Sequence, residues 1–276
     1  MSDLSAAGGH AADLGTVVIT GAAGGMGRPT AVRLAAPGRR LLLCDLHEAP
    51  LTALATELRA VGAEVDILAG DVAAADFPAQ ILAKLGDAPI GVLVHTAGLS
   101  PTMAEGARIL EVNLFATQRL VEALRPRFAA GGSAVLISSS SAYMMPPGAL
   151  AAPLKEWLQT GDAQALLAAT SAPQMAYPAS KVGVIALVGH EAAAFGALGA
   201  RITSIAPGFI DTAMSRAEMQ ESELMIQMIA KTPLGRLGSG DEIASVAEFL
   251  CSPAASYVSG CDIKVDGGIL GRLGSE

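Results

Sequence analysis

The chain has 276 residues, 51% of them hydrophobic and 16% charged, with a formal net charge of −8. That apolar share excludes wholesale disorder, and an acidic balance with no Lys/Arg run excludes the usual basic type of nucleic-acid binder. Cys44, Cys251 and Cys261, like His10, His47, His95 and His190, are scattered without ligand spacing, so neither a metal centre nor a disulfide framework is expected.

Residues 1–14 lack the basic start and apolar stretch of a signal peptide and read as a flexible tail ahead of one domain over 15–276. No apolar stretch approaches the roughly 18 residues of a membrane span, so a cytoplasmic protein that meets no membrane is expected. Thr16–Thr20 (TVVIT) predicts the first strand. A glycine loop, Thr20-Gly21-Ala22-Ala23-Gly24-Gly25-Met26-Gly27, leads from it into a helix over Gly27–Ala36. Further strands are predicted at Leu41–Cys44, Val65–Leu68, Gly91–His95, Ala134–Ser138, Arg201–Ile205 and Asp262–Val265. Helical patterns lie between them at Ala49–Val61, Ala74–Leu85, Glu105–Phe128, Ala179–Phe195 and Asp241–Leu250. Nearly continuous apolar strands alternating with helices specify an α/β fold, a doubly wound parallel sheet in three α/β/α layers. Two stretches break the alternation. Met144–Gln174 is an insert with helical potential over Leu154–Ala169, and Ala213–Thr232 is rich in Met and Glu. Both follow the carboxyl ends of strands, where ligands bind in such sheets.

A strand, a glycine loop and a helix in succession suit a phosphate-bearing cofactor. Gly21 permits the tight turn, Gly25 lets the backbone approach a pyrophosphate, and Gly27 lets helix and strand pack closely; Gly24 and Met26 complete the loop. Free amides at the helix N-terminus meet the anion. No Gly-Lys-Ser/Thr follows, which argues against a P-loop. Asp45, followed by Leu46, ends the second strand. A carboxylate there accepts hydrogen bonds from ribose hydroxyls and repels a 2′-phosphate, which selects NAD over NADP. A helix cap or turn is the plainer role for Asp45. Asp71-Val72, after the third strand, can hydrogen-bond an adenine edge or simply turn the chain. Arg39 and Arg40 read as surface ion-pair partners rather than phosphate clamps.

The glycine loop taken with Tyr177-Pro178-Ala179-Ser180-Lys181 resembles the short-chain dehydrogenase/reductase family, over nearly the whole chain from Thr16 to Gly268. Thr20–Gly27 is similar to the family's TGxxxGxG, and Tyr177 with Lys181 to its YxxxK. Asn113 matches the helical asparagine and Ser139 the serine after the fifth strand. Pro207-Gly208 matches the PG turn after the sixth, and Val265-Asp266-Gly267-Gly268 the C-terminal signature. Two departures stand out. The family's Asn-Asn-Ala-Gly is His95-Thr96-Ala97-Gly98 here: Ala97 and Gly98 keep the cofactor floor, but the asparagines' hydrogen bonds must be replaced, and His95 reads as structural. The stretch from Ser139 to Tyr177 is also much longer than usual. That extra segment, with Ser252–Val258, is similar to bacterial 3α-hydroxysteroid dehydrogenase/carbonyl reductases.

The resemblance implies an oxidoreductase that moves a hydride between NAD(H) and a secondary alcohol or ketone. Tyr177 would supply or take the hydroxyl proton. Lys181, one helical turn along on the same face, favours the phenolate. Moving a tyrosine from its free pKa near 10 to about 7 takes roughly 4 kcal/mol, shared with the nicotinamide cation and helix ends. Tyr177 and Lys181 would also border the nicotinamide ribose. Ser139 would hydrogen-bond the substrate oxygen, with Ser138, Ser140 and Ser141 competing for the role, and Asn113 would position a water between Lys181 and solvent. Ile210 and Thr212 would hold the nicotinamide carboxamide through a backbone amide and a hydroxyl.

The insert, the 213–232 segment and the residues after Gly98 would line an apolar, Met-rich pocket suited to a hydroxysteroid-like, terpenoid or aryl-ketone substrate. A sugar-nucleotide epimerase, a 3-oxoacyl carrier-protein reductase and a non-catalytic NAD-binding sensor or scaffold are the alternatives. The close of the chain soon after VDGG, Asp45, and the retained tyrosine and lysine argue against them in turn. A homo-oligomer is expected. If Leu150, Leu154, Trp157, Leu158, Leu166 and Leu167 of the insert cover the helices Glu105–Phe128 and Ala179–Phe195, the four-helix interface common in the family is blocked. A dimer through Asp241–Val265 then results. If they reach over the mouth, a tetramer stays open.

Overall fold

The computed structural model describes residues 10–170, 173–221 and 223–274. The first half runs β1 (Thr16–Thr20), α1 (Gly27–Leu34), β2 (Arg40–Asp45), α2 (Glu48–Ala60), β3 (Glu64–Ala69), α3 (Phe77–Leu85) and β4 (Ile90–His95). Next come α4 (Gly106–Leu110), a π-helical turn (Glu111–Phe115), α5 (Ala116–Leu124) and β5 (Phe128–Ile137). The insert carries α6 (Ala151–Thr160) and α7 (Gln164–Ala169) and leads into α8 (Pro173–Ala197). Then follow β6 (Arg201–Pro207), β7 (Ile210–Asp211), α9 (Ala213–Glu221), α10 (Glu223–Ala230), β8 (Gly238–Ser239), α11 (Gly240–Leu250) and β9 (Asp262–Val265).

Seven strands pair in parallel in the order β3-β2-β1-β4-β5-β6-β9. Every residue of β1 and β4 is buried, because central strands covered by helices on both sides have no solvent face. The edge strand β3 is instead open to solvent at Glu64 and Asp66 and buried at Val65 and Leu68. Successive residues of one strand feed opposite cores. Val18, Leu42 and Leu93 join the core under α5 and α8, while Val17, Ile19, Leu41 and Val94 join the core under α1, α2 and α11.

Three stretches differ from the sequence-based expectation. A free tail through residue 14 is too long, because Ala11–Asp13 form a 3-10 turn with Ala11 and Ala12 buried, and the Ala11 amide donates to Cys251 O at 3.0 Å. Their small side chains let the turn tuck in beside Gly91, where a Cβ would stand 2.1 Å from Ala11 O. Residues 1–9 lie outside the described residues. The single helix expected over 105–128 is divided by the π turn and ended by a 3-10 turn at Arg125-Pro126-Arg127, so Phe128 begins a strand. A proline has no amide to continue the helical ladder. Conversely, α8 starts at Pro173 and holds Pro178 inside it, so Tyr177 is itself helical.

The insert packs along the long helices. Leu150, Leu154, Trp157 and Leu166 are buried in the core that contains Leu187 and Val188 of α8, and the Trp157 ring stands 5.9 Å from that of Phe115. Leu158 is half-buried and Leu167 is 39% exposed. Of the two positions open to it, the insert takes the one over the long helices.

Candidate active site

The strand order reverses at β1 and β4, and there, at the carboxyl edge of the sheet, lies a cleft of about 380 Å³. Small-molecule sites span roughly 300–1,000 Å³. Its wall brings together Gly21, Gly24, Gly25 and Met26, Asp45 and Leu46, Asp71 and Val72, Ala97 and Gly98, and Thr212. His47, Met103, Arg108 and Met214 also line it and carry no motif that would have singled them out.

The wall is shaped by bare backbone. Gly21 adopts φ 66°, a left-handed conformation that disfavours any side chain. A Cβ on Gly27 would lie 2.0 Å from Gly21 O, so only glycine lets α1 enter under the loop. Thr96 Oγ1 donates toward Thr20 O and Gly21 O at 2.9 and 3.1 Å, and in this way supplies one of the loop-holding bonds that the missing asparagines would make. Gly25 serves a further purpose. A Cβ there would meet Thr212 Cγ2 at 2.6 Å, so its bareness also admits the chain after β7.

The acidic positions are held as well. Asp45 accepts the Ala23 amide at 2.9 Å and the Leu46 amide at 2.7 Å, which orients a turn carboxylate that also lines the cleft. Asp71 accepts the Ala73 amide at 2.9 Å and pairs with Arg108 of α4. Partial burial opposes its ionisation, but these two bonds prevail and leave its carboxyl below the usual range. On the floor, a Cβ at Gly98 would lie 3.2 Å from Asn113 Oδ1 and 3.7 Å from Lys181 Nζ. Bare glycines at a helix N-terminus, a carboxylate after β2 and an open floor fit a dinucleotide.

None of the four catalytic candidates lines the cleft itself; Lys181, Tyr177 and Asn113 gather beyond that floor, and Ser139 follows two residues after Ile137, whose oxygen holds Lys181. Lys181 is buried and donates to Ile137 O at 2.9 Å, with Nζ 5.7 Å from the centre of the Tyr177 ring. Burial pushes its ammonium down to about 8 from 10.5. The folded state therefore binds this proton less tightly than the unfolded chain, and this group's contribution to stability rises with pH between about 8 and 10.5. Its charge is in place at neutral pH. Asn113 sits in the π turn, with Oδ1 accepting the Leu99 amide at 2.7 Å and Nδ2 donating to Leu99 O at 2.9 Å and Ser180 Oγ at 3.3 Å. It joins the floor loop to the residue beside Lys181.

The serine run separates by partner. Ser138 is buried and donates toward Ile205 O and Asp262, and Ser140 is buried. Ser139 is half-buried and accepts from the Ser141 amide at 3.2 Å and the Ser141 hydroxyl at 3.0 Å, bonds that leave its own proton for a substrate oxygen. Pro207-Gly208 lies against the C-terminal signature, where a Cβ on Gly208 would be 2.7 Å from Asp266 Cα. Ile210 is buried and borders a separate small cavity with Thr232 and Arg236, not the main cleft. Thr212 lines the cleft while its hydroxyl accepts the Ser215 amide at 3.2 Å, a cap on α9. Among the described residues no three His, Cys, Asp or Glu side chains gather in a metal-holding cluster, and no helix is long and apolar enough to cross a membrane.

Known proteins resemble this chain in sequence and fold. A family model described as short chain dehydrogenase matches residues 15–151, and one described as Enoyl-(Acyl carrier protein) reductase matches residues 163–270. The chain is 35% identical to the 3-alpha-hydroxysteroid dehydrogenase/carbonyl reductase of Comamonas testosteroni, over 92% of this chain and 95% of that one. It is 32% identical to the L-rhamnose 1-dehydrogenase (NAD(P)(+)) of Sphingomonas sp. (strain SKA58), over 94% and 97%. Its fold is similar to that of the 3-alpha-hydroxysteroid dehydrogenase from Pseudomonas sp. B-0831 complexed with NADH. The TM-score is 0.76 at 25% identity, covering 95% of this chain and 99% of that one.

Proposed function

The chain belongs to the short-chain dehydrogenase/reductase family, and from that premise we propose that it is an NAD-dependent oxidoreductase interconverting a secondary alcohol and a ketone. The observation that carries this is the Tyr177–Lys181 pair, a phenol ring one helical turn from a buried ammonium 5.7 Å away, with that ammonium beside Gly98 on the floor of the glycine-lined cleft. The nicotinamide, when bound, supplies the hydride in reduction and takes it in oxidation. In reduction Tyr177 gives its phenolic proton to the carbonyl oxygen as charge builds there, and Ser139 donates a hydrogen bond to the same oxygen. Oxidation reverses both. Lys181 stabilises the phenolate that results and borders the cofactor ribose. Asn113 holds the floor loop and the helix of Lys181 in one frame and connects the lysine toward solvent. Thr212, on the cleft wall, holds the carboxamide through its hydroxyl, which accepts the Ser215 amide through its oxygen and can still donate its proton.

Asp45 supports NAD as the preferred cofactor, because its carboxylate would face a 2′-phosphate charge to charge. Met103 and Met214, 54% and 36% exposed at the cleft, support an apolar alcohol or ketone, in line with the steroid-acting relative. A sugar or polyol is the second possibility, favoured by the relative named for L-rhamnose. The insert over α8 supports a homodimer through α11 and β9, working in the cytoplasm. A panel of hydroxysteroids, aryl alcohols and polyols, assayed with NAD and NADP by cofactor absorbance, tests these points. The expected kcat/KM with NAD exceeds that with NADP by at least about tenfold, or 1.4 kcal/mol, and Asp45→Ala erodes the difference. Equal values for both cofactors in the parent enzyme would refute the role of Asp45.

A further inference from the structure

Behind Lys181 runs a line of buried hydrogen bonds that the chemistry above does not use. Thr20 at the end of β1 and His95 at the end of β4 are cross-strand partners in the sheet. Thr20 Oγ1 lies 2.7 Å from His95 Nδ1, and His95 Nε2 lies 2.8 Å from Thr117 Oγ1. Thr117 Oγ1 in turn donates to the Asn113 main-chain oxygen at 2.9 Å. All four residues are buried, none more than 3% exposed.

The direction of each proton follows from the last bond. A carbonyl oxygen only accepts, so the single hydroxyl proton of Thr117 is committed to Asn113. Thr117 must then accept from His95, which places the imidazole proton on Nε2. Burial pushes the His95 pKa down to about 3, and among the described residues the charge that adds to this is the ammonium of Lys181. The ring is therefore neutral, and its Nδ1 lone pair accepts from the Thr20 hydroxyl. The result is a one-way chain, Thr20 to His95 to Thr117 to Asn113, in which each bond polarises the next. At its end stands a carbonyl of a π turn, where the widened helix displaces backbone groups from the ordinary ladder. The Asn113 side chain already bonds Leu99 and Ser180. Its Oδ1 and the Lys181 Nζ both border the space over Gly98, 3.2 and 3.7 Å from where a Cβ there would stand.

We propose that His95, acting through Thr117, is a positioning residue for the turn that carries Asn113 and, through the Asn113 side chain, for proton movement at Lys181. It rests on the assignment of Tyr177, Lys181 and Asn113 to catalysis. In this way one buried histidine ties the end of the sheet at Thr20 to the helix that carries Asn113.

Thr117→Val keeps the side-chain shape and removes both the donor to Asn113 and the acceptor for His95. It should lower kcat by about tenfold and move the pH of half-maximal alcohol oxidation upward by about one unit, with the NADH Kd within about twofold of the parent. His95→Leu should do the same, and His95→Asn, which keeps a polar group, should recover part of the loss. If either variant lowered Tm while kcat and its pH profile stayed those of the parent, the histidine would be structural alone and the proposal overturned, with the catalytic assignment intact. Normal turnover in Tyr177→Phe would overturn both.

Discussion

The glycine-lined wall of the cleft and the helical flank beside α8 are built by opposite means. The wall is backbone. Gly21 turns at φ 66°, Gly27 leaves 2.0 Å between any added Cβ and Gly21 O, and Gly98 keeps the space beside Lys181 open. The flank is side chains on added helices, with α6 and α7 sending Leu154, Trp157 and Leu166 into the core beside α8. A site made of backbone admits one residue type per position, so its sequence carries a spacing. A flank made of side chains is satisfied by many apolar sets of the right volume, so its sequence reveals that it needs burial but not against what.

The sharpest contrast comes from Gly27→Ala. Its Cβ would collide with main-chain oxygen rather than with a movable side chain. A loss on the order of 5 kcal/mol in stability is expected, with cofactor binding lost alongside it. Chemical denaturation and NADH titration measure both, and a variant with parental Tm and Kd would break the contrast.

A somewhat smaller effect is expected on the flank. Trp157→Ala empties the site of a side chain that is 1% exposed and should cost about 3–5 kcal/mol. Yet the folded fraction should bind NADH with a Kd within about twofold of the parent's, since the tryptophan lies in the insert, away from the glycine-lined wall. Loosening the insert should also uncover α8, and light scattering should then find a larger assembly. A weakened NADH Kd at a temperature where the variant is fully folded would join the two regions into one.

The same contrast explains what was legible in the sequence. The alternation of strands and helices follows from periodicity and the glycine loop from positions where one residue type is required, while the Tyr177–Lys181 pair was legible through its resemblance to the family's YxxxK. The π turn did not show, because the apolar pattern of residues 105–124 stays helical through it and a one-residue widening leaves no mark in composition. The start of α8 was hidden by Pro178, whose usual place is at a helix beginning. The chain from Thr20 through His95 to Thr117 joins positions 75 and 22 residues apart. Only the substitution of His95-Thr96 for two asparagines hinted that some bond had to be remade. The ion pair of Arg108 with Asp71 and the capping of α9 by Thr212 depend on loop geometry, which no local motif encodes.

All of the proposed chemistry turns on one oxygen atom, the phenol of Tyr177. Tyr177→Phe deletes that oxygen and leaves the ring beside Lys181. Turnover and NADH affinity should be measured on one preparation of the variant. The expected result is turnover below about a hundredth of the parent's with an NADH Kd within about twofold of it. Turnover within about threefold of the parent's, at that same affinity, would contradict the assignment of Tyr177 as the proton carrier.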